Sequence, residues 1–190
     1  MNKPTFKAKV MQVQVPASTA NVGPGFDTVG LALAMHDRYV AQILNEGGLD
    51  IDVTGEGADE VPRNEKNLLI KAMYKGFDAL GGRPKGLAVR ALNVNPHGRG
   101  LGSSASAIIG GLVLARALVL NGEDKLSDEA LLSIATEMEG HPDNVSASLF
   151  GGATISWVDS SKHAHSIRIA VDPRIQAIAY IPVSYTHLTL

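Results

Sequence analysis

A glycine-rich loop between a strand pattern and a long apolar helix pattern restricts the fold more than any other feature of this sequence. Residues 93–107 read NVNPHGRGLGSSASA, with three glycines at alternate positions followed by two serines. Alternating apolar residues predict a strand over 84–95, and the apolar run after the loop predicts a helix over about 104–120. The first N–H groups of a helix have no intrahelical partner, and the helix dipole is positive at that end. The order strand, glycine loop, helix therefore predicts an anion site.

The residue types of this loop suit a phosphate group. Gly98, Gly100 and Gly102 allow a close backbone approach and a positive φ. The hydroxyls of Ser103 and Ser104 could bind a phosphate oxygen or a phosphate-bound Mg²⁺. The loop is neither a Walker A nor a dinucleotide-binding motif, because no lysine follows the last glycine and the glycine spacing differs. A plain connection with either serine as helix N-cap is the structural alternative.

Composition and charge exclude several classes of protein. The chain has 190 residues, a net charge of −2 and no cysteine. This charge gives no overall field for nucleic acid or an anionic membrane, and no disulfide or thiolate metal site can form. The longest apolar stretch, 105–115, is shorter than the roughly 20 residues that span a bilayer, and the N-terminus lacks a secretory apolar region. We expect a cytoplasmic globular protein without nucleic-acid or membrane partners.

The remaining patterns predict an α+β fold. Two alternating runs, 39–44 and 49–53, flank an Asn-Glu-Gly-Gly turn and predict a β-hairpin at an antiparallel edge. Apolar residues at helical spacing predict a helix over 66–80, which Gly81-Gly82 would end. The other predicted elements are a strand at 11–15, a helix with Ser127 as N-cap, a short helix from about Asn144 with Asp143 as N-cap, and strands from Ala153 onward, the last at 176–181.

Three segments together resemble one enzyme superfamily. Pro96 to Ala105 matches the pattern P-x-G-x-G-L-G-S-S-A, which resembles the phosphate loop of the GHMP kinases, the superfamily of galactokinase, homoserine kinase, mevalonate kinase and phosphomevalonate kinase. VPASTANVGPGFDTVGLAL (15–33) and EGHPDNVSASLFGG (139–152) resemble the corresponding blocks of the homoserine kinase branch. The three blocks stand in family order, and the resemblance extends from about residue 10 to residue 182.

The resemblance implies a domain organisation. Residues 1–172 would form a GHMP-kinase N-terminal, ATP-binding domain, a fold shared with a ribosomal protein domain, with a left-handed β-α-β crossover around the phosphate loop. Residues 173–190 would begin a ferredoxin-like second domain that is essentially missing. The resemblance stops after Pro182, and residues 183–190 resemble translated adapter sequence, so we expect them to be non-native. The chain is accordingly expected to be truncated and poorly active, and a homodimer stays open for the full-length protein.

The resemblance also implies residues that bind ATP and Mg²⁺. Asn67 would contact adenine, although an Asn at a helix start is equally an ordinary surface cap. Glu139 would lie beside Mg²⁺ together with Ser104, and carboxylate oxygens suit this ion. Arg99 would add positive charge to the loop. The implied phosphate-binding residues are Pro96, His97, Gly98, Arg99, Gly100, Leu101, Gly102, Ser103, Ser104, Ala105 and Ser106.

The acceptor side is implied in the same way. Asn21 and Asp27 would face an amino-acid substrate, with an anionic Asp suited to its ammonium group, and His141 and Asn144 would lie near homoserine. Turn residues without function are the alternative for the first pair. Asp27 and Asp143 are the two candidate general bases, although positioning and charge neutralisation can carry phosphoryl transfer without one. We expect the remaining histidines to be solvated or structural: His36, His97, His163, His165 and His187.

The function implied by the resemblance is ATP-dependent phosphorylation of the hydroxyl of L-homoserine, a step of threonine biosynthesis. Two alternatives remain at this point. One is a GHMP kinase for another small alcohol, such as mevalonate or a sugar. The other is a fragment that binds nucleotide or a partner without chemistry.

Overall fold

A six-stranded mixed sheet with helices packed on it forms the described part of the chain. The computed structural model describes residues 3–178 and residue 181. The mixture of strands and helices confirms the predicted α+β class. In chain order the elements are β1 (Met11–Asn21), β2 (Gly25–Leu44), β3 (Gly48–Gly55), α1 (Leu68–Ala79), β4 (Gly86–Asn93), α2 (Ser103–Leu118), α3 (Gly122–Lys125), α4 (Asp128–Glu139), α5 (Asp143–Phe150), β5 (Ala153–Val158) and β6 (Ala164–Ile169).

The long strand β2 organises the sheet. Along one edge it pairs antiparallel with β1. On its other edge it pairs antiparallel with β4 over residues 38–44 and with β5 over residues 29–31. The outer strands are β3, parallel to β4, and β6, antiparallel to β5. Both ends of β2 are therefore joined to elements that occur much later in the sequence.

The predicted hairpin between 39–44 and 49–53 is wrong. Both strands form, but β4 lies between them, antiparallel to β2 and parallel to β3. Gly86 at the start of β4 is opposite both Leu44 and Gly48. A Cβ on Gly86 would lie 1.9 Å from the backbone oxygen of Glu46, so the turn after β2 passes directly over the first residue of β4. The helix α1 connects the parallel strands β3 and β4.

The helix α2 forms the centre of the core. Its buried side chains include Ile108, Ile109, Leu112 and Leu114, and burying each such side chain contributes about 1.5–3 kcal/mol. The paired glycines in its apolar run permit close packing, since a Cβ on Gly110 would lie 2.3 Å from a ring carbon of Tyr39. The helix therefore packs directly against both β2 and α1.

The helix cap predicted at Ser127 is confirmed, the cap considered as the alternative role for Asn67 also forms, and two others differ. Asn67 caps α1 by accepting a hydrogen bond from Leu69 N, and Ser127 caps α4 by accepting one from Ala130 N. Gly102 rather than a serine is at the N-cap position of α2. Pro142 rather than Asp143 is at the N-cap position of α5, because Asp143 already has helical backbone geometry.

The C-terminal predictions are tested only in part. Strands after Ala153 are confirmed as β5 and β6. Residues 176–178 belong to no strand, so the described portion of the predicted strand 176–181 is wrong. Residues 179, 180 and 182–190, including the suspected non-native tail, lie outside the described residues. None of the described helices is long and apolar enough to cross a membrane.

Candidate functional site

The loop between β4 and α2 has the backbone geometry that its glycines predict. Gly98, Gly100 and Gly102 have φ values of 64°, 70° and 66°. Gly102 is further restricted by its neighbours, because a Cβ there would lie 2.2 Å from Ser18 Oγ and 3.0 Å from Asn144 Oδ1. No side chain caps the start of α2. The loop therefore joins the N-terminus of a 16-residue helix at a point that contacts β1 and α5.

The eleven residues that we call the phosphate loop, 96–106, divide by exposure. The buried members hold the loop in place: Leu101 O accepts hydrogen bonds from Ser18 N at 3.0 Å and Asn95 Nδ2 at 2.8 Å. The hydroxyl of Ser106 donates to Asp37 Oδ2 at 2.7 Å instead of facing solvent. Gly98 and Gly100 are exposed, Leu101, Ala105 and Ser106 are buried, and Pro96, His97, Arg99, Gly102, Ser103 and Ser104 are intermediate.

A cavity of about 300 Å³ opens between the phosphate loop and the start of α1. His97, Ser103 and Ser104 line it on the loop side, and Lys66 and Asn67 line it on the α1 side. On the side facing β3 and β4, Val53 and Ala91 give the cavity an apolar wall. The structure thus brings the residue predicted to contact adenine and three of the residues predicted to bind phosphate to one cavity.

Asn67 has a structural role as well. Its Oδ1 accepts from Leu69 N at 3.0 Å and its Nδ2 donates to Pro62 O at 2.8 Å. Only 6% of the residue is exposed, so it is a buried cap and not the surface cap considered as the alternative. Because both ends of the amide already have partners, Asn67 shapes the cavity chiefly by fixing the first turn of α1.

Ser104 and Glu139 form a pair of oxygen donors. Ser104 Oγ donates to Glu139 Oε1 at 2.5 Å, which joins the first turn of α2 to the last residue of α4. In the part of the chain that the structure describes, no group of three or more His, Asp or Glu side chains is arranged to hold a metal ion. The pair itself has the hydroxyl and carboxylate oxygens that Mg²⁺ prefers, so it fits an ion that takes its other ligands from phosphate and water.

The turn before α5 contains a buried carboxylate that orients a histidine. Asp143 is 1% exposed, and its Oδ1 accepts hydrogen bonds from His141 Nδ1 at 2.5 Å and Asn144 N at 2.6 Å. His141 is only partly buried. Asn144 Oδ1 accepts a hydrogen bond from Ser18 Oγ at 3.0 Å. This bond fixes the orientation of the side-chain amide, so its nitrogen lies on the side away from Ser18. Burial of Asp143 weighs against direct contact between its carboxylate and an acceptor hydroxyl.

The turn between β1 and β2 brings Asn21 and Asp27 together. Asn21 Oδ1 accepts from Asp27 N at 3.0 Å, and both residues have positive φ values, 69° and 51°, which Asn and Asp tolerate better than most residues. Both are exposed. The two strands that carry this turn also contact α5, since Ser18 bonds to Asn144 and a Cβ on Gly30 would lie 2.2 Å from Asp143 O.

Sequence reasoning missed a buried carboxylate behind the phosphate loop. Asp37 of β2 is 2% exposed, and its Oδ1 accepts from Val94 N at 2.7 Å and Asn95 N at 2.9 Å. Its Oδ2 accepts from Ser106 Oγ at 2.7 Å and from Tyr39 OH at 3.1 Å. Burial, and next the charge of Asp37, raise the pKa of Tyr39 above its ordinary value of 10.0. The sequence did contain a signal for it. Asp37 lies two residues before Tyr39 in the same strand, so its side chain is on the same, inward-facing side of the sheet.

The remaining histidines have local roles. His97 lies 3.5 Å from Asn93 Nδ2 through its Nε2 and packs over Gly57. His165 bonds to Asp159 at 2.9 Å and stacks on Trp157. His36 and His163 are exposed, whereas His187 lies outside the described residues. For His36, His163 and His165 these exposures and contacts match the solvated or structural roles expected, whereas His97 also lines the cavity beside the phosphate loop.

Comparison with known proteins agrees with this geometry. The family model for the N-terminal domain of GHMP kinases matches residues 67–152. A homoserine kinase of Streptomyces coelicolor is 49% identical over 182 residues, which cover 96% of this chain and 58% of the relative. The crystal structure of a homoserine kinase from Cytophaga hutchinsonii superimposes with a TM-score of 0.73 at 28% identity, covering 90% of this chain and 55% of that one. A mevalonate kinase of L. major, at 18% identity and a TM-score of 0.64, covers 90% of this chain and 55% of its own and shows the shared fold alone.

The phosphate loop, the cavity beside it and these matches define the class of fold: residues 67–152 match the N-terminal domain of the GHMP kinase family, and the chain superimposes on a homoserine kinase of known structure. Homoserine kinases at 42–49% identity are among the relatives of this chain. The chain spans 58% of the length of the Streptomyces coelicolor relative.

Proposed function

We propose that the complete protein carrying this sequence transfers the γ-phosphoryl group of ATP to the side-chain hydroxyl of L-homoserine, which yields O-phospho-L-homoserine for threonine biosynthesis. The observation that carries the proposal is the meeting of all three sequence blocks at Gly102, where a Cβ would collide with Ser18 of β1 and approach Asn144 of α5. The relatives at 42–49% identity support homoserine as the acceptor. Because the chain spans only about half of their length, the activity is proposed for the complete protein.

The nucleotide would occupy the cavity and the phosphate loop. The apolar wall near Val53 and Ala91 suits a base, and the capped first turn of α1 closes that end. Backbone N–H groups of the phosphate loop and the N-terminus of α2 would bind the phosphates. Ser104 and Glu139 would hold Mg²⁺, which when bound neutralises charge on the transferred phosphoryl group.

The acceptor would bind between the β1–β2 turn and the start of α5. Asp27 would hold the ammonium group of homoserine and Asn21 would fix the turn, as their hydrogen bond suggests. Asn144 would offer its amide nitrogen, and His141, held by Asp143, would contact the acceptor hydroxyl. Because Asp143 is buried, we assign it to orienting His141 and not to taking the proton directly. Positioning of the two substrates then supplies most of the rate.

A coupled ADP-release assay on the complete protein tests the proposal. The assay compares L-homoserine, mevalonate and galactose at equal concentrations with saturating Mg·ATP. We expect the highest kcat/KM for homoserine. A preference for mevalonate or galactose would overturn the substrate assignment and keep the kinase. If none of the three alcohols raises ADP release above the rate without acceptor, the proposed function itself is wrong.

A further inference from the structure

One buried carboxylate connects the two ends of the phosphate loop. Asp37 accepts the backbone N–H groups of Val94 and Asn95, the two residues that precede the loop. It also accepts the hydroxyl of Ser106, the last residue of the loop, which lies in the first turn of α2. A single side chain on β2 thereby joins the end of β4 to the beginning of α2.

The environment of Asp37 indicates that it is held as an acceptor. A carboxylate that is only 2% exposed is costly unless donors surround it. Four donors reach its two oxygens: two backbone N–H groups on Oδ1, and the hydroxyls of Ser106 and Tyr39 on Oδ2. The ring of Tyr39 is itself buried against Gly110 of α2. The arrangement is therefore built from β2, α2 and the loop, and not from one element alone.

We propose that Asp37 is a positioning residue that holds the phosphate loop in its anion-binding conformation before nucleotide arrives. The proposal rests on the proposed function only in that it assigns a nucleotide phosphate to the loop. Three glycines with positive φ make the loop entropically costly to order. A loop already closed at both ends presents its N–H groups without that cost at the moment of binding.

Two further hydrogen bonds act on the middle of the loop. Leu101 O accepts from Asn95 Nδ2 and from Ser18 N. Asn95 is thus bonded to Asp37 through its backbone and to Leu101 through its side chain. Loss of the Asp37 carboxylate would loosen Asn95 and, through it, the turn that leads into Gly102.

Asp37→Ala and Asp37→Asn give a graded test. Alanine removes the acceptor for all four donors, so we expect the Kd for Mg·ATP to rise at least about tenfold. Asparagine keeps one oxygen for the two backbone N–H groups, and the hydroxyls of Ser106 and Tyr39 can turn to accept from its amide nitrogen. It should therefore restore much of the affinity. The KM for homoserine should change less than about twofold in both variants, since neither touches the acceptor side.

Phe77→Ala is the matched control for a purely structural effect. Phe77 is fully buried in α1 and packs edge-on against Phe6, so its loss destabilises the fold without touching the loop. If Phe77→Ala and Asp37→Ala lose comparable stability and bind Mg·ATP equally, Asp37 has only a structural role and the proposal fails. The expected result is that only Asp37→Ala loses nucleotide affinity.

Hydrogen exchange without ligand keeps the test independent of the proposed function. We expect the amides of residues 94, 95 and 101–106 to exchange faster in Asp37→Ala than in the wild-type chain, with Asp37→Asn between the two, while the amides of α4 are unchanged. Equal exchange would overturn the proposal. If the complete wild-type protein binds no Mg·ATP, the proposed function fails, and the exchange comparison still decides whether Asp37 orders the loop. Should Asp37→Ala fail to fold, Ser106→Ala replaces it, because it removes one of the four donors to Asp37. We expect a smaller loss of affinity for Mg·ATP. Combining Ser106→Ala with Asp37→Asn should lower the affinity by less than the sum of the two single effects.

Discussion

Gly102 lies at a point where the phosphate loop, β1 and α5 are close together. We expect Gly102→Ala to weaken Mg·ATP binding at least about tenfold, because its Cβ would collide with Ser18 Oγ and its φ of 66° strains an L-residue. Isothermal titration measures the effect. Gly100→Ala is the control, since Gly100 lies in the same loop and has a φ of 70° but open space around its Cβ position. Equal losses in both variants would show that backbone strain alone is responsible.

The pair Ser104 and Glu139 predicts a specific dependence on magnesium. Removing either oxygen, by Ser104→Ala or Glu139→Gln, should lower kcat and raise the Mg²⁺ concentration needed for half-maximal rate, more than it weakens nucleotide binding. Ser103→Ala is the comparison. Ser103 is next to Ser104 in the sequence, but its hydroxyl makes no hydrogen bond to Glu139 among the described contacts. An unchanged Mg²⁺ requirement in both test variants would contradict the assignment.

At the residue level, motifs predicted the candidate site and missed the buried residues that support it. Ser104 and Glu139 were paired by resemblance, and the structure places their oxygens 2.5 Å apart. Asp37 was missed because its partners are two backbone N–H groups 57 and 58 positions away, which carry no side-chain signature. Ser106 was predicted to bind ATP on its position in the motif, whereas its hydroxyl is turned inward to Asp37.

At the scale of the elements, the start of α1 has two roles: Asn67 caps the helix and also lines the cavity. Asn67→Ala and Ser127→Ala each remove an N-cap side chain, so each should lower the free energy of unfolding by about 1 kcal/mol. Only Asn67 lines the cavity, so only Asn67→Ala should also raise the Kd for Mg·ATP. Denaturant unfolding and titration of both variants check this. Unaltered nucleotide binding in Asn67→Ala would separate the cap from the nucleotide site.

The strands show where local patterns stop being informative. Alternation predicted the runs at 39–44 and 49–53 correctly, because period 2 reports which residues face the core. The predicted pairing was wrong because a short turn between two strands is compatible with two arrangements. The strands can pair as a hairpin, or the turn can cross over the end of a third strand that lies between them. Gly86, which permits that crossing, lies 42 residues after Leu44 in the sequence and opposite it in the sheet.

For the molecule as a whole, Tyr39 predicts a decline of stability in alkali. Burial, followed by the charge of Asp37, raises the pKa of Tyr39 above 10.0 in the folded state. Above that pH the unfolded chain releases a proton that the folded chain keeps, so the free energy of unfolding should fall by up to about 1.4 kcal/mol per pH unit. Denaturant unfolding between pH 8 and 11 should show a shallower decline for Tyr39→Phe. Parallel curves for the two proteins would contradict this.

The insertion of β4 between β2 and β3 has a consequence for how the chain is synthesised and folds. When residue 55 leaves the ribosome, β1 and β2 can already pair, but β3 must wait for residues 86–93. During that delay Ile51 and Val53, buried in the finished protein, have no core to pack against. Pairing between such distant segments slows folding, and an unpaired strand can meanwhile associate with other chains. Rapid formation of α1, which is encoded between the two strands, would shorten this vulnerable interval.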